Sequence, residues 1–228
     1  MKRYLLGVSL MFSFLYYAQE SAPMHIQNMS ADARSIFLKD GFKADLETEG
    51  NPYPANDKFL DAKIASNEKL TKVRYNANLD QFEFLQNGQM LLMGREDWYS
   101  PIYFPDLKET VVLANYPSKG KSIKGYLFTY IEGEEISIYR KISRKFVKGE
   151  YATSSFDKDK PNRFIEEPDV YFIKQKNGEF VEFPKNIRKL VALFPDKKET
   201  LQKNIKKNNF DFNIMQEIVM LLNKKSSE

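Results

Sequence analysis

The residue types that carry out nucleophilic or metal chemistry are scarce in this sequence. The chain has no cysteine and a single histidine, His25, which lies between Met24 and Ile26 near the N-terminus. A serine or cysteine hydrolase needs a histidine base beside its nucleophile, and a zinc site needs several histidine or cysteine ligands. The sequence therefore predicts no catalytic residues of these classes, no metal ligands and no cofactor.

Paired carboxylates are the remaining candidates for catalysis. Glu134-Glu135 and Glu166-Glu167 are adjacent pairs, and Asp157 lies close to Asp159. A glycoside hydrolase needs two carboxylates about 5 to 10 Å apart across a cleft, whereas neighbours on a strand point to opposite faces. An acid–base hydrolase is therefore the third of our functional hypotheses, and it requires two other carboxylates to converge in a cleft.

Aromatic side chains provide the candidates for binding. The densest run extends from Trp98 to Phe104 and contains the only tryptophan, and the pair Lys124–Ile131 and Glu134–Ile142 predicts a hairpin with one aromatic face. Such rings can stack on a sugar or a peptide, but large aromatic side chains more often fill a core. The candidate ligand-binding residues are Trp98, Tyr99, Tyr103, Tyr126, Phe128 and Tyr139.

Turn dipeptides divide the middle of the chain into hairpins. Asn87-Gly88, Glu132-Gly133 and Asn177-Gly178 each lie between runs rich in β-branched and aromatic residues, and such dipeptides favour tight turns between antiparallel strands. A two-residue turn at Glu132-Gly133 predicts Tyr126 opposite Tyr139, and one at Asn177-Gly178 lets Lys176 pair with Glu179. The natural arrangement of such hairpins is an antiparallel meander.

The hairpin before Asn87-Gly88 is the most strongly indicated. A loop at Ala77–Asp80 places Tyr75 opposite Phe82 on one face and Arg74 opposite Glu83 on the other. The register, the apolar face and the charge pairing therefore agree with one another.

The last part of the chain has helical spacing. Apolar residues at 187, 190, 191 and 194 share one helical face, Asp196 with Glu199 resembles a capping box, and Asn213 precedes an apolar segment. We therefore expect an α+β fold, in which an antiparallel β meander with several hairpins carries short C-terminal helices docked on the sheet.

The N-terminus has the pattern of a secretory signal peptide. Lys2 and Arg3 precede an uncharged run from Tyr4 to Tyr17, and Ala18 supplies a small residue at the expected cleavage site. This run is shorter than the about 20 apolar residues that span a bilayer. We expect an exported protein of the periplasm or cell surface, with no membrane span after cleavage.

The domain boundaries follow from these segments. Residues 1–18 form the signal peptide, and residues 19–56 form a lead-in with a short helix at Ala31–Lys39. Residues 57–184 form the antiparallel β domain, and residues 185–228 form the C-terminal helical segment packed on it. The formal net charge of +4 and the modest basic cluster at Arg140–Lys148 do not predict a nucleic-acid partner.

A series of short segments spread over most of the chain after the signal peptide is familiar from other proteins. The segments are Gly50–Tyr53, Val73–Asn76, Phe82–Phe84, Tyr139–Lys141, Ser155–Lys158, Lys160-Pro161, Asp169–Ile173, Lys189-Leu190, Leu193-Phe194 and Ile205–Lys207. In this order they resemble a group of uncharacterised exported proteins common in Bacteroidota. The resemblance implies a location in the envelope or outside a didermal bacterium, and it implies no activity.

Three functions remain open at this point. The first is a non-enzymatic structural or protein-interaction domain of the cell envelope, whose partner is an unknown envelope protein. The alternative is a β-sheet or half-barrel binding module for a small apolar ligand or a glycan, and a cavity lined by the candidate aromatic residues would support it. The third is the acid–base hydrolase.

Overall fold

A computed structural model describes residues 46–55, 57–154, 156–206 and 210–224. The expected signal peptide, the expected helix at Ala31–Lys39 and His25 lie outside these residues. Within them, no helix combines the length and the apolar character that crossing a membrane requires.

The described part of the chain is mostly β structure with three short α-helices. The strands are β1 Thr48–Glu49, β2 Leu60–Ile64, β3 Asn67–Asn76, β4 Gln81–Gln86, β5 Gln89–Leu92, β6 Ile102–Phe104, β7 Glu109–Ser118, β8 Lys121–Ile131, β9 Ser137–Val147, β10 Asn162–Lys174 and β11 Phe180–Glu182. The helices are α1 Ile187–Leu193, α2 Lys198–Asn204 and α3 Phe212–Asn223. This arrangement confirms the broad prediction of an α+β, mostly antiparallel fold.

All the strands belong to one open sheet. Its order is β1-β10-β9-β8-β7-β6-β2-β3-β4-β5, and β11 pairs with the C-terminal end of β10. Strands β2 to β5 and strands β6 to β11 each pair with their neighbours in the sequence, and the pairing of β2 with β6 joins these two meanders. The parallel pairing of β1 with β10 is the exception to the antiparallel pattern.

The hairpin formed by β3 and β4 has the predicted register. Tyr75 lies opposite Phe82, Arg74 lies opposite Glu83 and the turn at Asn87-Gly88 joins β4 to β5. Gly88 has a φ of 78°, in the left-handed region that glycine adopts without strain.

The predicted register between β8 and β9 is wrong. Thr129, rather than Tyr126, lies opposite Tyr139, and Phe128 lies opposite Arg140. The connection is longer than a two-residue turn because the Ser137 hydroxyl bonds to the backbone of Gly133. Ser137 Oγ accepts from the Gly133 N–H and donates to the Gly133 carbonyl, both at 3.0 Å. Tyr126 and Tyr139 consequently lie on opposite faces of the sheet.

The hairpin between β10 and β11 also differs from the prediction. Lys174 lies opposite Phe180, and the backbone N–H of Gln175 donates to the carbonyl of Glu179 at 2.8 Å. The turn therefore has one residue more than Asn177-Gly178. Lys176 does not pair with Glu179 and instead forms an ion pair with Glu135 at 2.8 Å.

One face of the sheet, called the inner face here, carries a row of four residues. Val111, Phe128, Arg140 and Tyr171 lie opposite one another on β7, β8, β9 and β10. At one end of this face, the β3–β4 hairpin folds back onto β8 and β9. The ring centroids of Tyr75 and Phe128 lie 4.9 Å apart, and the N–H of Arg144 donates to the carbonyl of Ala77 at 3.2 Å.

The resulting core between these two parts of the sheet is dense and aromatic. Its buried members are Ala62, Val73, Tyr75, Ala77, Phe82, Met93, Ile102, Phe104, Val111, Leu113, Tyr126 and Phe128. Burial of such side chains stabilises the fold by about 25 cal/mol for each Å² of apolar surface removed from water. The curl of the sheet is therefore maintained by this apolar core.

The three helices cover the other end of the inner face. Ile131, Ile138 and Ile173 of the sheet pack against buried helical residues, which include Leu190, Leu201, Met215, Ile218, Val219 and Leu222. Asn186 caps α1, since its side chain accepts from the N–H of Lys189 at 3.0 Å. The opposite face of the sheet has a smaller core of Tyr116, Leu127, Tyr139 and Phe172.

Two of the predicted helix starts are wrong. α2 begins at Lys198 because Pro195–Lys197 form a 3-10 turn, so Asp196 does not open a capping box. α3 begins two residues earlier than expected, since Asp211 rather than Asn213 is its cap and accepts from the N–H of Ile214 at 3.0 Å.

Candidate functional site

The six candidate ligand-binding residues do not form one site. Trp98 is 69% exposed, and Tyr99 and Tyr103 are also exposed, whereas Tyr126, Phe128 and Tyr139 are buried. Tyr126 and Phe128 belong to the inner-face core, and Tyr139 belongs to the core on the opposite face. The predicted continuous aromatic face depended on the two-residue turn between β8 and β9, which is absent.

Tyr126 has a structural role. Its ring packs edge-on against Phe82 with the centroids 4.8 Å apart, and its N–H donates to Asp80 Oδ1 at 3.2 Å. Burial raises the pKa of the Tyr126 phenol to about 12. Asp80 also forms an ion pair with Lys141 of β9, so this turn residue fastens the β3–β4 hairpin to β8 and β9.

The outer edge of β5 is free of pairing within the part of the chain that the structure describes. Met93 donates its N–H to the carbonyl of Phe82 at 2.8 Å, which fixes the alternation along the strand. Backbone groups of Gln89, Leu91 and Met93 therefore face β4, and those of Met90 and Leu92 point away from the sheet. This edge offers a ladder of hydrogen-bonding groups to another chain.

The side chains next to this edge are apolar and exposed. Leu85, Met90 and Leu92 share the outer face of the hairpin, and their exposed fractions are 40%, 53% and 62%. Leu91, on the other face of β5, is also exposed. These four residues and the free backbone of β5 are called the β5 edge below. Free edges in soluble proteins usually carry charged residues or proline, and β5 has neither.

A charge network centred on Arg74 of β3 packs against the β5 edge. Arg74 forms an ion pair with Glu83 at 2.6 Å, and its guanidinium lies over the rings of Tyr53 and Phe59 at 3.7 and 4.5 Å from their centroids. Its Nη2 also contacts Met90 Sδ at 3.3 Å. A guanidinium held by a carboxylate and two rings has little freedom, so the adjoining surface is preorganised.

A second candidate site is a cavity on the inner face, between the curled hairpin and Arg140. Its volume is about 190 Å³, and apolar side chains form most of its wall. These are Pro54, Ala55, Leu60, Val73, Tyr75, Phe104, Leu107, Phe128 and Ile142, and the polar lining consists of Lys58, Arg74, Glu109 and Arg140. We call this space the Arg140 cavity. Phe128 is the only one of the six candidate residues among those that line it.

Arg140 is incompletely paired. Its Nη2 forms an ion pair with Glu109 at 3.0 Å, but its Nη1 lies 3.6 Å from Asp169 Oδ2, beyond hydrogen-bonding distance. Its buried Nε has no acceptor among the described residues. A buried donor without an acceptor costs about 1 to 3 kcal/mol. Arg140 therefore has donor capacity left for an additional acceptor.

At the Arg140 cavity the structure brings together Glu109 and Asp169, which are not among the carboxylate pairs noted in the sequence. Both lie beside Arg140, and burial raises the pKa of Asp169. Because each faces the same guanidinium, they form a charge cluster rather than an acid and a base across an open cleft. Among the described residues, no group of histidine, aspartate and glutamate side chains could hold a metal ion.

The sequence did not predict either surface, because each depends on which strands pair in the complete sheet and in which register. Gln89–Met93 reads as a strand, but only the pairing of β2 with β6 leaves β5 at an edge. Arg140 reads as part of a basic cluster, but only the strand register places it beside Phe128. A comparison with known proteins adds no further guide, since the chain matches no protein-family profile, no curated protein and no solved structure.

Proposed function

We propose that this chain is a protein-interaction domain of the bacterial cell envelope, and that its β5 edge binds an extended apolar segment of a partner protein as an additional strand. The observation that carries the proposal is the outward-pointing backbone of Met90 and Leu92, flanked by exposed apolar side chains. Export is supported by the charged start, uncharged run and small residue at the N-terminus.

Addition of a strand fits both features of the β5 edge. The backbone of a partner strand would pair with Met90 and Leu92, and its alternate side chains would cover Leu85, Met90 and Leu92. Binding of this kind obtains affinity from main-chain hydrogen bonds and specificity from the side chains beside them.

The size of the edge favours a partner segment over a second copy of this chain. β5 has four residues, and pairing of two such strands buries far less than the about 1,200 to 2,000 Å² of a stable interface. An extended segment of another protein can continue beyond β5 over Leu85 and the hairpin face. It therefore gains contacts that two copies related by a twofold axis lack.

Photo-crosslinking in the producing bacterium tests the proposal. A photoreactive residue replaces Met90 in one strain and Met220 in a control strain, since Met220 is also an exposed methionine and lies on α3. We expect one envelope protein to be linked at position 90 and not at position 220, through a contiguous segment with alternating apolar residues. A synthetic peptide of that segment should then bind the purified chain.

Met90→Pro supplies the decisive variant. It removes the outward N–H that a partner strand needs, and proline is tolerated at an edge strand where the N–H faces solvent. We expect the peptide to lose binding to Met90→Pro and to keep binding to Met220→Lys. Crosslinking to a second copy of this chain, no crosslink at position 90, or full peptide binding by Met90→Pro would each contradict the proposal.

A further inference from the structure

We infer that the Arg140 cavity binds a small organic acid, in which a carboxylate is attached to one short aliphatic chain or one aromatic ring. The inference is separate from the β5 edge. Arg74 borders both surfaces, since it lines the cavity and its Nη2 contacts Met90 Sδ, but no residue of β5 lines the cavity.

The size of the cavity sets the apolar part of the ligand. An apolar cavity of about 150 Å³ is large enough to bind benzene, and the Arg140 cavity has about 190 Å³. It can therefore hold one ring or a chain of about six carbon atoms. It is too small for a long-chain lipid or an oligosaccharide, since sites for larger ligands usually have about 300 to 1,000 Å³.

The wall of the cavity provides the matching apolar contacts. Leu60, Val73 and Ile142 supply aliphatic surface, and Phe104 and Phe128 supply ring faces and edges. Val73 is completely buried, and both phenylalanines are at least nine-tenths buried. Their positions are fixed by strand pairing and the surrounding core, so the wall exists before a ligand binds.

The polar lining selects an acid. Lys58, Arg74 and Arg140 are cationic and Glu109 is the one acidic residue that lines the cavity. The charge of Arg74 is matched by Glu83 and Asp57, and that of Arg140 is offset by Glu109 and Asp169. The long-range attraction for an anion therefore comes from Lys58 at the exposed rim, and Arg140 contributes N–H donors rather than unmatched charge. The weak contact between Arg140 and Asp169 leaves guanidinium donors for a carboxylate, and hydrogen bonds between two charged groups are the strongest ones available here.

Methyl NMR of the full mature chain tests the inference, with sodium hexanoate and sodium phenylacetate as the probes. Both should shift the methyl signals of Leu60, Val73 and Ile142 in a saturable manner, and they should leave Leu201 of the distant helical core unchanged. Acetate, which lacks the apolar group, should produce no saturable shift. Neutral 1-hexanol should bind about tenfold more weakly than hexanoate, because it cannot form a charge-assisted bond with Arg140.

Two variants and a control locate the binding. Leu60→Trp fills the cavity and should abolish the shifts caused by both acids. Lys58→Gln removes an exposed charge without touching the core, and should weaken hexanoate binding about two- to fivefold without affecting 1-hexanol. Lys148→Gln removes an exposed lysine outside the cavity and should bind like the wild type.

Several results would overturn the inference. These are no saturable shift with either acid, equal affinity for hexanoate and 1-hexanol, or wild-type hexanoate binding by both Leu60→Trp and Lys58→Gln. If Leu60→Trp fails to fold, the comparison of hexanoate with 1-hexanol still decides the matter, since equal affinity for the two probes would by itself overturn the inference. None of these outcomes depends on the β5 edge.

Discussion

Asn223, the last residue of α3, pairs with both backbone groups of Ile136. Its Nδ2 donates to the Ile136 carbonyl at 2.8 Å, and its Oδ1 accepts from the Ile136 N–H at 3.0 Å. The same Oδ1 also accepts from the N–H of Glu135 at 2.6 Å. The amide side chain of Asn223 thus provides hydrogen-bond partners for backbone groups of the loop between β8 and β9, and it links α3 to the sheet.

Replacement of Asn223 should therefore destabilise the packing of the helices on the sheet. We expect Asn223→Ala to lower the free energy of unfolding by about 2 to 3 kcal/mol, because it removes four side-chain hydrogen bonds, three of them to Glu135 and Ile136, and leaves backbone groups without partners. Urea denaturation measures the change. Gln216→Ala, an exposed change on the same helix, is the control and should alter stability by less than about 0.5 kcal/mol. Equal stability of the two variants would contradict the role of Asn223.

Gly125 of β8 has no room for a side chain. A Cβ at this position would lie 2.3 Å from Asp80 Oδ2 and 2.9 Å from the Tyr116 hydroxyl. Asp80 cannot move easily, because it is held by Lys141 and by Arg95. We expect Gly125→Ala to cost about 1 to 3 kcal/mol of stability, measured by urea denaturation.

A control for Gly125 is available in the turn between β7 and β8. Gly120 has no atom within 4 Å of an added Cβ, and its φ of 77° is one that asparagine tolerates. Gly120→Asn should therefore change stability far less than Gly125→Ala. The packing of Asp80 against β8 would be refuted if the two variants were equally stable.

Stability should fall at alkaline pH. Burial raises the pKa of Tyr126 to about 12 and that of Tyr171 to about 12, whereas tyrosines of the unfolded chain ionise near pH 10. Between these values the unfolded state has lost protons that the folded state keeps, so the free energy of unfolding decreases as pH rises from about 10 to 12. Below pH 10 the contribution of these phenols is fully present.

The difference between wild type and Tyr126→Phe isolates one phenol. The variant removes this titrating group, so its stability should decline less steeply than that of the wild type between pH 10 and 12 in parallel urea titrations. Absorbance at 295 nm should show ionisation of the folded chain extending above pH 11. Identical slopes for the two proteins would contradict the assignment to Tyr126.

Trp98 should behave as a surface residue. The sequence favoured a core role for its aromatic run, but the indole is 69% exposed and contacts Tyr99 at 6.1 Å between ring centroids. Because Trp98 is the single tryptophan of the chain, tryptophan fluorescence reports on the environment of this residue alone. We expect emission typical of a hydrated indole, efficient quenching by acrylamide, and a stability loss below about 0.5 kcal/mol for Trp98→Ala. A blue-shifted, unquenched signal would place it in a core.

The accuracy of the sequence-based predictions depended on how many local signals agreed. For Tyr75 and Phe82 the loop length, the apolar face and the Arg74–Glu83 pair all specified one register, and that register was correct. For Tyr126 and Tyr139 only the dipeptide Glu132-Gly133 specified the turn. The hydroxyl of Ser137, which holds a wider loop, overrode it.

The positions of the two proposed binding surfaces could not be predicted from local sequence signals. Which strand lies at a sheet edge depends on all the pairings, and the one between β2 and β6 joins segments that no turn dipeptide connects. The environment of Arg140 likewise requires Glu109, Asp169 and Phe128 to meet from three different strands. Residue type alone indicated the strand at Gln89–Met93 and the basic character at Arg140, but not their positions in the fold.

Amide hydrogen exchange along β5 of the free chain tests the central claim most directly. The N–H groups of Leu91 and Met93 face β4, and those of Met90 and Leu92 face outward. We predict that exchange at Met90 and Leu92 is fast and that exchange at Leu91 and Met93 is at least tenfold slower, because only the latter are hydrogen-bonded within the sheet. Equal, strong protection at all four positions would show that another segment already covers the edge, and would contradict its proposed role as a binding surface.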